Sequence, residues 1–422
     1  QQGSVTLIAT RESADSLRIE RFLRRNGYPV RQVDFDAATH AIGPCADLAI
    51  DAARLPAVFV HQGDELLYNP NNRELAEALG LAEALEPGHV FDVAIVGGGP
   101  SGLSAAVYAA SEGLDAVLLE GEAPGGQAGT SSKIENYLGF PTGLSGQALA
   151  GRAQVQAQKF GAKIALPNRV ARIDCQVRPF ALYVEDRAEP VLARAVVVAS
   201  GACYRRLDFD HAFDNVGVYY AATAMERTLC KGEEVVVVGG GNSAGQAAVY
   251  LAGLARQVHV LVRGESLAAT MSDYLVGRIE SAQNISLRTE TEIVALRGER
   301  HLRELTWRNR ASGRAEDRPI RHVFLMIGAV PNSDWLRGCL ALDAKGFVLT
   351  GADLLASGEW RQGRAPDMLE TSVPGIFAAG DVRAGSVKRV AAGVGEGAMA
   401  VSHVHRYLAE EAVASPQAAL AR

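Results

Sequence analysis

The sequence predicts an α/β protein: two doubly wound Rossmann-like units of three-layer ββα build, with a smaller α/β domain ahead of them. Three observations predict it. A strand runs into a glycine-rich turn and a helix near residue 97. The same pattern returns near residue 239. Before either, strands and helices alternate in short runs over the first 87 residues.

The first unit is "FDVAIVGGGPSGLSAAVYAASEGLDAVLLE". Val93 to Val96 read as a buried strand. Gly97, Gly99 and Gly102 form G-x-G-x-x-G, an amphipathic helix follows, and a second strand, Ala116 to Leu119, ends in Glu120. Gly97 permits the tight turn, Gly99 lets the backbone approach a pyrophosphate, and Gly102 lets helix and strand pack closely. The helix N-terminus offers N–H groups and a positive dipole end to phosphates. Glu120 stands where a carboxylate accepts ribose hydroxyls. Strand, glycines, helix, second strand and terminal acid agree on dinucleotide binding.

The second unit is "EEVVVVGGGNSAGQAAVYLAGLARQVHVLVR", with Gly239, Gly241 and Ala244 in G-x-G-x-x-A. Its second strand ends in Val262 and Arg263, without the carboxylate. An arginine there suits a 2′-phosphate, so NADP(H) is favoured over NAD(H), with Glu265 keeping NAD(H) open. Two units of different preference suggest two dinucleotides in one chain: FAD on the first, NADP(H) on the second, with hydride passing from nicotinamide to flavin.

The chain has 422 residues, room for two or three domains, and a net charge of −6. That balance gives no footprint for nucleic acid or an anionic membrane surface. No apolar run approaches the roughly 20 residues of a membrane span, and no signal peptide is visible. The five cysteines, Cys45, Cys175, Cys203, Cys230 and Cys339, are scattered. Neither C-x-x-C, nor a zinc pattern, nor a disulfide framework is expected from them, no metal site is expected, and a cytoplasmic compartment follows.

Further motifs occur in order: "APGGQAGTSSKIENYLGFP" after the first unit, "VVVASG" at 196–201, "MIGAVPNSDWL" at 326–336 and "GIFAAGDVRAGSVKRVAAGVGEGAMA" at 375–400. As an ordered set they resemble the low-molecular-weight thioredoxin reductases, over about residues 90–410. The resemblance implies an FAD domain at 88–206 and 330–422, with an NAD(P)H domain, 207–329, inserted into it. It places Gly97, Gly99, Pro100, Ser101, Gly102 and Glu120 at the FAD. Gly126, Gln127 and Asn136 would line the flavin, Val170 would approach the adenine, and Ala199, Ser200 and Gly201 would close the site. Gly380 and Asp381 would meet the ribityl chain. The helix starting near Arg389 and Val390 would aim N–H groups at the flavin edge that gains negative charge on reduction. In the second unit Gly239, Gly241, Asn242, Ser243, Ala244 and Arg263, with Ile327 and Gly328, would hold NAD(P)H. The resemblance also implies a homodimer.

The departures are specific. Where the family carries C-A-T-C-D-G, this chain has Ala221-Ala222-Thr223-Ala224-Met225-Glu226. Both redox positions, Ala221 and Ala224, lack a thiol, no other cysteine pair is expected to stand in, and disulfide reductase activity is not expected. Of the family's arginine cluster at the nucleotide site only Arg263 persists.

The first 87 residues read as strand "VTLIAT", a helix ending at Gly27, a strand near Val30–Phe35, Leu55-Pro56, a hairpin turning near Gly63, and helix "NNRELAEALGL". The order resembles a thioredoxin or glutaredoxin fold, with Pro56 where that fold carries its cis-proline. Its first loop, Arg11-Glu12-Ser13-Ala14, has no cysteine. Bacterial proteins that join a receiver, a thioredoxin-like domain and a reductase-like module resemble this arrangement, which implies a receiver upstream. A regulatory role and a plain scaffold are both open for this domain.

Two functions remain. One is an enzyme that takes hydride from NAD(P)H onto FAD and passes electrons to an unidentified acceptor, a protein or a small molecule, without an internal C-x-x-C. The other is a flavin- or NADPH-responsive sensor. His403 and His405 lie on a late helix, where a place at the flavin's far face and a place on the helix surface or at an interface are both open.

Overall fold

The computed structural model describes residues 5–9, 13–35, 50–60, 65–131, 134, 137–209, 213, 216–220, 222, 224–268 and 270–414. They form two compact units, 1–70 with 204–329 and 71–203 with 330–422.

The second of these units holds a seven-stranded sheet. Val90–Val96 is central, with Ala116–Leu119 and then Lys163–Ala165 parallel to it on one side. On the other side lies Val191–Val198, also parallel. The far edge of that strand is shared. Its first half pairs antiparallel with Phe180–Val184, which hairpins onto Val170–Asp174; its last three residues pair parallel with Ile376–Ala378. The parallel strands are valine-, isoleucine- and leucine-rich because both faces are covered. Val93, Ile95, Val197 and Phe377 face the helices Pro100–Ser111, Gly146–Lys159 and Val390–Ala414. Ala94, Val96, Val196 and Val198 face the hairpin and the segment around Leu336 and Val348. The helix Asn72–Ala78, expected with the N-terminal domain, is grouped with this unit and begins in a capping box of Asn71 and Glu74.

The other unit carries a five-stranded parallel sheet. Its order is Val218–Tyr219, His322–Leu325, Glu234–Val238, Gln257–Leu261 and Ile285–Arg288. A three-stranded antiparallel sheet, Thr291–Gly298, Leu302–Asn309 and Ala315–Arg318, packs Leu302, Leu305 and Trp307 against it. The N-terminal sheet runs Val30–Asp34, Val5–Ala9, Ala57–Val60, Glu65–Tyr68, the first pair parallel and the others antiparallel. Along the chain, strand, helix, strand and hairpin follow one another as expected of a thioredoxin-like domain, and Leu55–Pro56, before the hairpin, is cis. Leu17 of its helix packs against a cluster containing Phe213, Val216 and Leu302. Arg11, Glu12 and the turn at Gly63 lie outside the described residues.

One expectation is overturned outright. Cys175 and Cys339 form a disulfide, with Cα atoms 5.9 Å apart, so the chain does hold an internal cysteine pair. The two stand 164 residues apart, and spacing carries no sign of the pairing. The fold creates it: the end of strand Val170–Asp174 and the turn Asp334–Leu336 pack on one core through Ile173, Leu336 and Leu340. The exclusion of disulfide chemistry falls with it. Among the described residues no helix is long and apolar enough to cross a membrane.

Candidate nucleotide sites

The first site is built where three parallel strands end: Val96, Val198 and Ala378. Ligands of such sheets bind outside the carboxyl ends of the strands. Gly97 adopts φ +107°, and a Cβ there would land on the carbonyl of Ala199. A Cβ on Gly102 would land on the carbonyl oxygen of Gly97. Both positions therefore require glycine, for backbone conformation and for close helix–strand approach. Gly99 is different: it caps the helix Pro100–Ser111, and nothing among the described residues lies within 4 Å of where its Cβ would stand. That open face, with Pro100 at the first helical position, leaves room for a ligand against the helix N-terminus.

The Glu120 carboxylate accepts two backbone N–H groups, Gly98 at 2.6 Å and Glu122 at 2.9 Å. The strand-terminal acid is thus held at the mouth of the glycine turn. The 124–130 segment folds over the same turn: Gly125 N–H donates to Gly98 O at 2.6 Å, and a Cβ on Gly126 would stand 3.0 Å from Gly99 Cα. Gln127 donates to Ala202 O. Ala199 follows the strand, Ser200 Oγ donates to Asn332 O at 2.7 Å, and Asn332 N–H donates to Gly201 O at 3.0 Å.

The C-terminal helix joins the ring from the other side. Ser104 Oγ donates to Val394 O at 2.7 Å, and Ser101 Oγ lies where a Cβ on Gly380 or Gly393 would intrude. Glu396 accepts the Gly380 N–H at 2.6 Å and pairs with Arg383 at 2.7 Å. Asp381 lies on the same turn. Burial pushes its carboxyl above the usual range, Glu396 adds to this and Lys388 opposes it. The structure therefore brings Gly97, Gly99, Pro100, Ser101, Gly102, Glu120, Gly126, Gln127, Ala199, Ser200, Gly201, Gly380, Asp381 and the start of the Val390 helix to one end of one sheet. Arg389 is exposed one residue before that helix. Val170 starts its strand beside Arg169, which packs on Gly121 next to Glu120. Asn136 lies outside the described residues.

The second site repeats the design in the other unit. Gly239 adopts φ +141°, and a Cβ there would land on Met326 O. Gly241 caps the helix Asn242–Ala252, and Ala244 is fully buried beneath it. Asn242 accepts the Ser272 N–H at 2.7 Å, and Thr270 Oγ donates to Gly240 O at 2.7 Å, tying the loop 267–272 to the turn. Ser243 and Arg263 are exposed, Ile327 is half-buried, and Gly328 O accepts the Arg205 N–H at 3.0 Å.

Of the substituted redox positions, Ala221 and Thr223 lie outside the described residues, and Ala224 opens the helix Ala224–Leu229. Cys230, just beyond it, is buried and its thiol is pushed up to about 12 by burial and by Glu226 and Glu233. It is no nucleophile at neutral pH. His403 stacks on Phe377 and faces Asp367 at 3.5 Å. His405 lies 2.9 Å from Glu112. Sequence reading missed Glu396, Arg383, Asn332 and Lys388, whose ammonium donates to Asp381 O at 3.3 Å. The "GD…K" spacing was the only available signal for Lys388.

The matched family model is the pyridine nucleotide-disulphide oxidoreductase, over residues 91–397. The chain belongs to this family, in its thioredoxin reductase group. It is 33% identical to the thioredoxin reductase of Chlamydia pneumoniae over 74% of this chain and 97% of that one. It is 32% identical to NADPH-dependent thioredoxin reductase 3 of Arabidopsis thaliana over 82% of this chain and 66% of the relative. The solved thioredoxin reductase of Lactococcus lactis matches with a TM-score of 0.67 at 25% identity, over 76% of this chain and 99% of that one. The thioredoxin reductase group thus accounts for both glycine turns, and the N-terminal α/β domain is an addition to it.

Proposed function

We propose that the chain is an NAD(P)H-dependent FAD oxidoreductase, with FAD at the Gly97 turn and the pyridine nucleotide at the Gly239 turn. One observation carries this reading. Two strand–turn–helix sites in one chain each have a left-handed first glycine jammed against a neighbouring strand's carbonyl, and each presents an open helix N-terminus. The residues fit the groups assigned to them. Glu120, fixed by two backbone donors, suits ribose hydroxyls at the first site, and Arg263 with no acid beside Val262 suits a 2′-phosphate at the second. When bound, the pair supplies hydride transfer from nicotinamide to flavin.

The protein's part is positioning and electrostatics. The Gly99 and Gly241 helix ends offer N–H groups to phosphates. Asp381, held in a buried turn by its neighbours, offers a hydrogen bond to a polyol chain. The N-terminus of the Val390 helix stabilises negative charge placed before it. The acceptor is supplied from outside the two sites. The names of the relatives support a protein disulfide as one candidate class, and small redox acceptors are the other. A homodimer belongs to the same reading.

The test is a binding and turnover experiment on the full chain. FAD is expected to bind one per chain and to bind more weakly in Glu120→Ala, while NADPH binding is expected to weaken in Arg263→Ala. NADPH oxidation is then followed with a thioredoxin disulfide and with a quinone. A chain that binds neither FAD nor a pyridine nucleotide overturns the proposal.

A further inference from the structure

We propose that Cys175–Cys339 is a reversible thiol–disulfide site that fastens the start of segment 330–422 to the sheet of its own unit. The inference holds whichever nucleotides the two sites take.

The bond joins the two stretches from which that unit is assembled, 71–203 and 330–422. Cys175 ends the strand Val170–Asp174, and Cys339 follows the turn Asp334–Leu336. A Cα separation of 5.9 Å suits a disulfide without backbone movement. Close to the bond, the start of the segment is held at two further places. At its start, Asn332 bonds Ser200 and Gly201, and Trp335 Nε1 donates to Asn332 O at 3.0 Å. In its middle, Leu336 and Leu340 enter the core beside Ile173. Beside these contacts the disulfide is the covalent fastening, and thiol exchange can open and reclose it. Because Asn332 touches Ser200 and Gly201, the segment that the bond fastens also braces one wall of the first nucleotide site.

Access and chemistry both allow exchange. Each cysteine is only half-buried, and Gln176, Val177, Arg178, Arg337 and Gly338 beside them are exposed. Arg178 donates to the backbone carbonyl of Cys175 at 2.9 Å, which fixes the turn that carries this cysteine, and exchange needs only that an attacking thiolate reach one sulfur. Cys230, by contrast, is fully buried. In the exchange, an external dithiol attacks one sulfur as thiolate, the S–S bond breaks, and a mixed disulfide forms. The second thiol of the reagent displaces the protein sulfur. Two electrons and two protons have passed to the protein, which now carries Cys175 and Cys339 as thiols, and the reagent leaves as a disulfide. An external disulfide runs the sequence backwards.

The test uses the full chain with dithiothreitol as the dithiol and oxidised glutathione as the disulfide. Alkylation and peptide mapping should block Cys175 and Cys339 only after dithiothreitol. Reduction should lower the thermal midpoint by about 5–10 °C, from the usual worth of a long-loop disulfide in a unit of this size. Amide exchange should quicken in 332–342 and stay unchanged in 93–96. Oxidised glutathione should restore both. The double variant C175S/C339S should resemble the reduced protein and ignore dithiothreitol. Alkylation of both cysteines without reductant overturns the proposal. So does a reduced protein whose midpoint and exchange in 332–342 are unchanged, or a double variant that dithiothreitol still destabilises equally. The mapping on the unmutated chain decides the bond even where the double variant fails to fold.

Discussion

The Glu120 carboxylate accepts the Gly98 N–H at 2.6 Å, so the acid that ends one strand is tied to the glycine turn that ends its neighbour. The bond fixes the acid at the entrance of the first site without any ligand. Removing it costs preorganisation as well as a ligand contact. Glu120→Ala is expected to weaken FAD binding by about 10- to 100-fold, the worth of a hydrogen bond to a charged group. Fluorescence titration of the apoprotein with FAD measures it, and unchanged affinity would remove Glu120 from the site.

Gly99 and Gly102 separate ligand binding from folding. A Cβ at Gly102 meets the carbonyl of Gly97, so Gly102→Ala is expected to destabilise the unit by about 1–3 kcal/mol. A Cβ at Gly99 meets nothing among the described residues within 4 Å, so Gly99→Ala is expected to keep the thermal midpoint of the apoprotein and lose FAD affinity. Midpoints and FAD titrations on the two variants check this. A Gly99→Ala protein that binds FAD normally would mean phosphates do not approach there.

Arg263 should discriminate between the two nicotinamide nucleotides. Arg263→Ala is expected to raise KM for NADPH by about tenfold, one charge-assisted contact, and to leave NADH nearly unchanged. Steady-state kinetics with both nucleotides reads the difference. Equal effects on both would place the 2′-phosphate elsewhere.

Much of this was legible because it is local. Strand, glycines and helix lie within about 30 residues in a βαβ unit, so both turns could be read directly. The N-terminal run of strand, helix, strand and hairpin, with Pro56 before the hairpin, was read from alternation and proline; the order of strands in its sheet was not. What escaped reading depends on long-range packing. Cys175 meets Cys339 only because the hairpin and the Asp334–Leu336 turn share a core. Glu396 reaches Gly380 only because the Val390–Ala414 helix crosses back over the site. No spacing rule reveals either contact.

Asp381 should leave a mark on the pH dependence of stability. Its carboxyl is raised chiefly by burial, so the folded chain holds that proton more tightly than the unfolded chain does. Its stabilising contribution is fully present below the ordinary carboxylate value of about 4 and is lost as pH rises through the folded value. Asp381→Asn removes the titration. The midpoint of the variant apoprotein, minus that of the unmutated one, is expected to grow as pH rises above about 4. A difference that shrinks over that range would reverse the sign.

The most direct test of the central claim is anaerobic rapid mixing of the FAD-loaded chain with NADPH, unlabelled and deuterated at nicotinamide C4, following the visible flavin absorbance. The account predicts bleaching that deuterium slows, with the bleaching diminished in Gly241→Ala. Absence of bleaching with both NADPH and NADH, in protein shown to hold FAD, would contradict it.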